Sequence, residues 1–305
     1  MASRRHPNGN SRHHTVTSGT RRRLAVLGSV IALLLTSGAA AATAATAATG
    51  TASAASARTS LAANGTTASA LAARFRTYLA GRPGAVSVAL YDASSGATVV
   101  SGNSSRTGWE TASTVKLDIL VALLSKTGTS GRLTAAQTAL ARKMISVSDN
   151  AAASTLWKQA GGTAGMNAFF RRLGMTSTTA GAGGKWGLTK TTARDQLAVL
   201  RAVAYPDRTL SAAARTTARE LLRSVVSSQR WGLTAGVPSG VAVEIKNGWL
   251  PYDGGWVIDS LAHVHGGGRD YVMAVYTRNS ATMNTGITTV SGLSRIAWAA
   301  GPVRG

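Results

Sequence analysis

The chain has 305 residues, no cysteine, and 33 Lys and Arg against 11 Asp and Glu, a formal net charge of +22. Without cysteine it holds no disulfide, thiol nucleophile or cysteine-anchored lipid. The basic balance invites a nucleic-acid partner, but the arginines are mostly scattered and no helix-turn-helix, zinc-finger or RNA-binding signature accompanies them, so none is expected; a solvated basic surface suits anionic cell-wall polymers instead.

Residues 1–57 read as a signal peptide. A basic opening with Arg4, Arg5, Arg12 and Arg21 to Arg23 precedes the apolar run of 12 residues LAVLGSVIALLL and an Ala/Thr-rich low-complexity stretch. That is the layout of a secretory signal, and TRRRLA (Thr20 to Ala25) also fits the twin-arginine type. Ala55-Ser56-Ala57 is the preferred cleavage site. The competing reading is an N-terminal membrane anchor, because Leu24 to Ala57 carries no charge. Only its first half is strongly apolar, however, and a span needs about 20 mainly apolar residues. Cleavage leaves 248 residues with 27 Lys and Arg against 11 Asp and Glu, about +16, and no stable membrane span. The expected location is secreted or cell-wall associated. This length buries a substantial core.

Residues 58–67 read as a linker and 68–305 as the folded domain. ASALAARFRTYLAG (68–81) has helical spacing at Leu71, Phe75, Tyr78 and Leu79 and stops at Gly81. AVSVALYD, the turn SSG and ATVVSG predict a two-stranded hairpin. Helical patterns follow over Ser113 to Ser125, 134–147, 150–162, 163–174, 191–204 and 211–226. Strand patterns return in GVAVEIKNGW, GWVIDSLAHV and DYVMAVYTR, and a helix near 284–299 closes the chain. Two strands, a helical block and three strands predict an α+β fold. It has a five-stranded antiparallel sheet flanked by helices, an all-helical lobe, and a cleft between them.

Three short motifs carry chemistry. In STVKLDILVALL, Ser113 and Lys116 stand three apart, so their side chains meet on one helix face. The helix is apolar almost all round, which places it in the interior. A buried ammonium there needs a partner or loses its proton, the environment that turns a lysine into a base. Asp118 lies about 200° round the helix from Lys116 and points away. By itself S-x-x-K is also what a serine N-cap and a stray lysine look like. In SVSDNAA, Ser148 and Asn150 offer a proton-shuttling hydroxyl and a substrate-holding amide, and Asp149 a structural role; a plain N-cap reads the same way. In EIKNGW, Lys246 sits inside a strand and Gly248 allows close approach of a ligand to the backbone; an exposed edge-strand lysine is the alternative.

In this order and context, S-x-x-K, S-D-N and K-x-G resemble the signature set of class A β-lactamases and penicillin-binding proteins, over about residues 68–300. The resemblance implies a β-lactamase/transpeptidase-like fold with the site between sheet and helical lobe. It implies Ser113 as nucleophile, Lys116 as base and Ser148 as proton relay. Asn150 and Lys246 would bind substrate, with Asn247, Gly248 and Trp249 alongside, and the N–H groups of Ser113 and Trp249 would form the oxyanion hole. Asn247 replaces the hydroxyl residue usual after the lysine, which helps hold a substrate carboxylate. The loop expected to carry a water-activating glutamate, 174–196, holds none; its only acid is Asp195. Glu110 and Glu244 are the substitutes to consider. Ser113 and Ser148 are only 35 residues apart, which suggests a more open cleft.

The implied activity is an exported serine hydrolase acting through an acyl-enzyme on β-lactams or related amides and esters. The alternatives are a D-alanyl-D-alanine peptidase or penicillin-binding protein that deacylates slowly, and a non-catalytic cell-wall or β-lactam-binding domain. No cofactor is expected. No metal is expected either, since His263 and His265 share a strand face but lack a cysteine or nearby acid cluster to complete a ligand set. Trp231, Trp249 and Trp256 are assigned to cleft or core.

Overall fold

The computed structural model describes residues 65–305. The proposed signal, its cleavage site and most of the linker lie outside the described residues. Among the described residues no helix is long and apolar enough to cross a membrane. The linker's last residues are part of the fold. Thr66–Thr67 pairs in parallel with Val303–Arg304, and the Thr67 hydroxyl accepts from Ala70 N at 3.1 Å, capping the first helix.

Helix α1 (Ala68–Ala80) buries Leu71, Phe75 and Leu79 on one stripe and ends at Gly81. The hairpin β1 (Ala85–Asp92) and β2 (Thr98–Gly102) follows, paired from Ser87↔Gly102 to Tyr91↔Thr98. Helices α2 (Val115–Leu124), α3 (Ala135–Ser146), α4 (Asn150–Ala160) and α5 (Gly162–Arg172) make the lobe. α6 (Ala193–Ala204) and α7 (Ala212–Arg223) lead back to β3 (Ala242–Tyr252), β4 (Gly255–Gly266) and β5 (Arg269–Arg278), and α8 (Met283–Ala299) closes. The sheet is antiparallel throughout, in the order β2-β1-β5-β4-β3. α1 and α8 cover one face, while α6 and α7 pack on the other. Covered on both faces, β4 and β5 are nearly continuous buried runs rather than alternating ones.

Every residue of α2 is buried, which its unbroken apolar sequence requires. The helix begins later than its pattern predicts. Residues Ala112–Thr114 form a 3₁₀ turn, tightened by Thr114 N and Oγ1, which both donate to Thr111 O (2.9 and 2.7 Å). Ser113 therefore lies in the turn before the α-helix, and its hydroxyl caps nothing. Asp118, fully buried, accepts among the described residues only from Gln196 Nε2 (3.1 Å), and burial pushes its carboxyl up to about 8.

Candidate active site

Three elements converge on Lys116. The 3₁₀ turn presents Ser113, the corner between α3 and α4 presents Ser148 and Asn150, and edge strand β3 presents Lys246 and Gly248. Two backbone contortions aim these groups. Ala112 (φ 44°) and Ser148 (φ 59°) occupy the left-handed region, at a cost of about 1–3 kcal/mol each. Asp149 is the N-cap of α4, its carboxylate accepting from Ala152 N at 2.7 Å. Its structural reading stands.

Lys116 Nζ, wholly buried, lies 3.0 Å from Ser113 Oγ, 3.0 Å from Ser148 Oγ, 2.6 Å from Ser148 O and 2.7 Å from Asn150 Oδ1. None of these partners is charged. Burial lowers the lysine from 10.5 to about 8, against a weaker upward pull from Asp149. Lys246 Nζ donates to Ser148 Oγ (3.2 Å) and Asn247 O (2.9 Å); burial, then the Lys116 charge, hold it well below its usual value. Ser148 Oγ thus touches both amines, and the chain Ser113–Lys116–Ser148–Lys246 can pass a proton in either direction.

Gly248 is where β3 meets the turn. A Cβ there would stand 2.8 Å from Ser113 N and 2.9 Å from Thr111 O and Thr114 N, so only glycine lets the strand lie against the backbone of Ser113. Trp249, with Leu250, Tyr252, Ala112, Ser113 and Asn150, lines a cleft of about 420 Å³. Trp231 meets Trp249 edge-on, with ring centroids 6.0 Å apart. Trp256 instead lines a separate surface hollow with Pro251 and Ala281.

Asn247 corrects the expectation that it touches substrate. Neighbours on a strand point to opposite faces. With Lys246 facing the lobe, Asn247 faces the α8 side, where segment 229–232 lies against Ser260 and Val290. Its amide donates to Gln229 O (2.8 Å) and Trp231 O (3.0 Å) and accepts from Ser260 Oγ (2.6 Å), with no exposed surface.

Neither candidate base stands free. Burial would raise the Glu110 carboxyl, but Lys190 and Arg278 hydrogen-bond it and keep it below its usual value. Glu244 is enclosed by Arg219, Arg223, His263 and His265. Burial works against its charge, yet His263 and Arg219 bring it down to about 2. Around His263 and His265, β-pairing of Glu244 with His263 places one carboxylate against a nitrogen of each ring, while the two rings stack on each other. Arg219 and Arg223 share that carboxylate, so the donor set already carries two cations and fits no metal. Asp195 accepts from Ser177 N and Thr178 Oγ1 in the loop base.

The opposite cleft wall, Gly184, Lys185, Trp186, Gly187 and Leu188, escaped sequence reasoning. Its one local signal is a tryptophan set among glycines in GAGGKWGL. The Trp186 ring centroid lies 4.9 Å from Lys116 Nζ, and its Nε1–H donates to Ser154 Oγ at 3.1 Å.

Solved structures of this shape include an ancestral class A beta-lactamase, at 22% identity and TM-score 0.63 over 75% of this chain and 99% of that one. PBP-A matches at 22% identity and TM-score 0.65 over 75% and 95%. A class A beta-lactamase from Mycobacterium abscessus matches at 24% and 0.63 over 75% and 98%. At these identities the likeness establishes the fold. No curated protein sequence matches the chain. A family profile described as "Beta-lactamase enzyme family" matches residues 129–300, more than half of the chain, and with this fold around it the chain belongs to that family.

Proposed function

We propose that the protein is an exported serine hydrolase whose Ser113 is acylated by β-lactams or related amides and esters. The observation that carries this reading is the run of contacts from Ser113 Oγ through Lys116 Nζ and Ser148 Oγ to Lys246 Nζ, at 3.0, 3.0 and 3.2 Å. As Ser113 Oγ bonds to the substrate carbonyl carbon, its proton passes to Lys116. Ser148 then hands a proton to the leaving nitrogen as the C–N bond breaks, and Lys246 keeps the Ser148 hydroxyl oriented. The Ser113 N–H, held against β3 at Gly248, supports an oxyanion site there, completed in this reading by Trp249 N–H. Incubation with a fluorescent penicillin and a chromogenic cephalosporin tests the reading. A covalent adduct on Ser113, abolished in Ser113→Ala, is expected. No adduct, and equal ester hydrolysis by wild type and Ser113→Ala, refutes it. For export, the N-terminus of protein recovered outside the cell is expected to follow Ala57.

One observation favours a second reading, a penicillin-binding protein that deacylates slowly: among the described residues no carboxylate lines the cleft. A stable mass adduct with little turnover distinguishes it from a fast hydrolase.

A further inference from the structure

We infer that Trp186 keeps water away from the Ser113 acyl-enzyme and makes the adduct long-lived. The inference rests on the reading of Ser113 as nucleophile and assigns a role to a residue outside the three motifs.

Four oxygens at 2.6–3.0 Å surround Lys116 Nζ. One of the four directions of this tetrahedral nitrogen is its bond to Cε, and the four oxygens crowd the remaining three. The indole adds an apolar surface 4.9 Å away. Hydrolysis requires a water oxygen to bond to the acyl carbon while its proton goes to a base and Ser113 Oγ leaves with a proton. Here Lys116 offers that water no open side, and among the described residues no carboxylate lines the cleft to replace it.

The indole is held in place. Its Nε1–H is tied to Ser154 on α4. The loop carrying it is drawn closed: Gly181 N donates to Thr189 Oγ1 (3.0 Å), and a Cβ on Gly181 would stand 2.1 Å from Lys185 O. Its far end is joined to the segment that leads into the nucleophile turn. Thr111 N donates to Thr189 O (3.0 Å), and Lys190 bonds Glu110. Thr163 Oγ1 fixes the near end through Gly181 O (2.7 Å). Trp186 is thus fastened from both lobe and sheet side, where it lines the cleft with Ser113 and Asn150 and lies 4.9 Å from Lys116 Nζ.

The test follows a fluorescent-penicillin adduct by intact mass after excess probe is removed, in wild type, Trp186→Phe, Trp186→Ala and Ser154→Ala. Wild type is expected to hold the adduct. Trp186→Ala is expected to release it at least about 10-fold faster, with the acylation rate changed less than about 3-fold, a split between the two steps that general misfolding does not produce. Trp186→Phe and Ser154→Ala, which both keep a ring but lose its tie to α4, are expected to fall between. Thermal melting shows which variants are folded; if Trp186→Ala is not, the Phe and Ser154 variants decide. Equal adduct lifetimes in Trp186→Ala and wild type, release from Trp186→Phe as fast as from Trp186→Ala, or a wild type that turns over rapidly overturn the inference while leaving Ser113 as nucleophile. The absence of any adduct in wild type removes both.

Discussion

Replacing Gly248 with alanine puts a methyl group into the closest backbone approach of the proposed site. The added Cβ would lie 2.8 Å from Ser113 N, 2.9 Å from Thr111 O and 2.9 Å from Thr114 N, whereas ordinary contact begins at 3.4 Å. All three opposing atoms are main chain, so no side chain can swing aside. β3 and the 3₁₀ turn must separate by about 0.6 Å. Overpacking of this kind costs about 1–3 kcal/mol, a drop in Tm of roughly 2–4 °C per kcal/mol for a domain of this size. The functional loss should be larger, because a misplacement approaching 1 Å at reacting groups costs about 100-fold. Acylation by a fluorescent penicillin and thermal melting are measured on the same preparation. A 10- to 100-fold slower acylation with a modest fall in Tm is expected. A variant that acylates and melts like wild type refutes the claim that strand and turn touch here.

Lys116 is charged at pH 7 in most molecules and loses its proton near pH 8 in the fold, so acylation should rise with pH through about 8 and vanish in Lys116→Met. The unfolded lysine keeps its proton to about 10.5. The unfolded state therefore binds more protons between about 8 and 10.5, and stability contributed by this group rises with pH across that window; urea titrations of wild type and Lys116→Met check it. Asp118 acts in the opposite sense. Its folded value, about 8, lies above the unfolded 3.8, so stability falls as pH rises between the two. Asp118→Asn should remove that slope and be more stable than wild type at pH 8, and equal slopes in the two proteins refute the burial argument. Glu110→Gln strips the carboxylate from Lys190 and Arg278. It should cost about 2–3 kcal/mol, less than a fully buried pair because Lys190 is half-exposed and Arg278 keeps Asp253, read as a shifted urea midpoint.

Much of the architecture is written in local chemistry. Gly81 ends α1, Asp149 starts α4, and the alternating hairpin pattern marks β1 and β2. The apolar ring of α2 also shows that Lys116 is buried before any coordinates are known, since a surface helix has a polar face. Other features depend on partners distant in sequence. Glu110 looks like a free acid near a nucleophile until Lys190 and Arg278 arrive from 80 and 168 residues away. Glu244 becomes the centre of an ion knot only when β3 pairs with β4.

From its sequence alone the chain determines where helices and strands lie and that Ser113 can meet Lys116, because three-residue spacing along a helical turn is a local fact. Asn247 and Trp186 required the tertiary structure. One residue's shift of face along β3 turns Asn247 from cleft to interior, and segment 229–232, folded back beneath it, takes up its amide. Trp186 reaches Lys116, 70 residues earlier, only because its loop is closed at Gly181 and Thr189 and tied to Thr111. Contacts of that range depend on how loop, lobe and sheet pack together, and no short stretch of sequence carries that information.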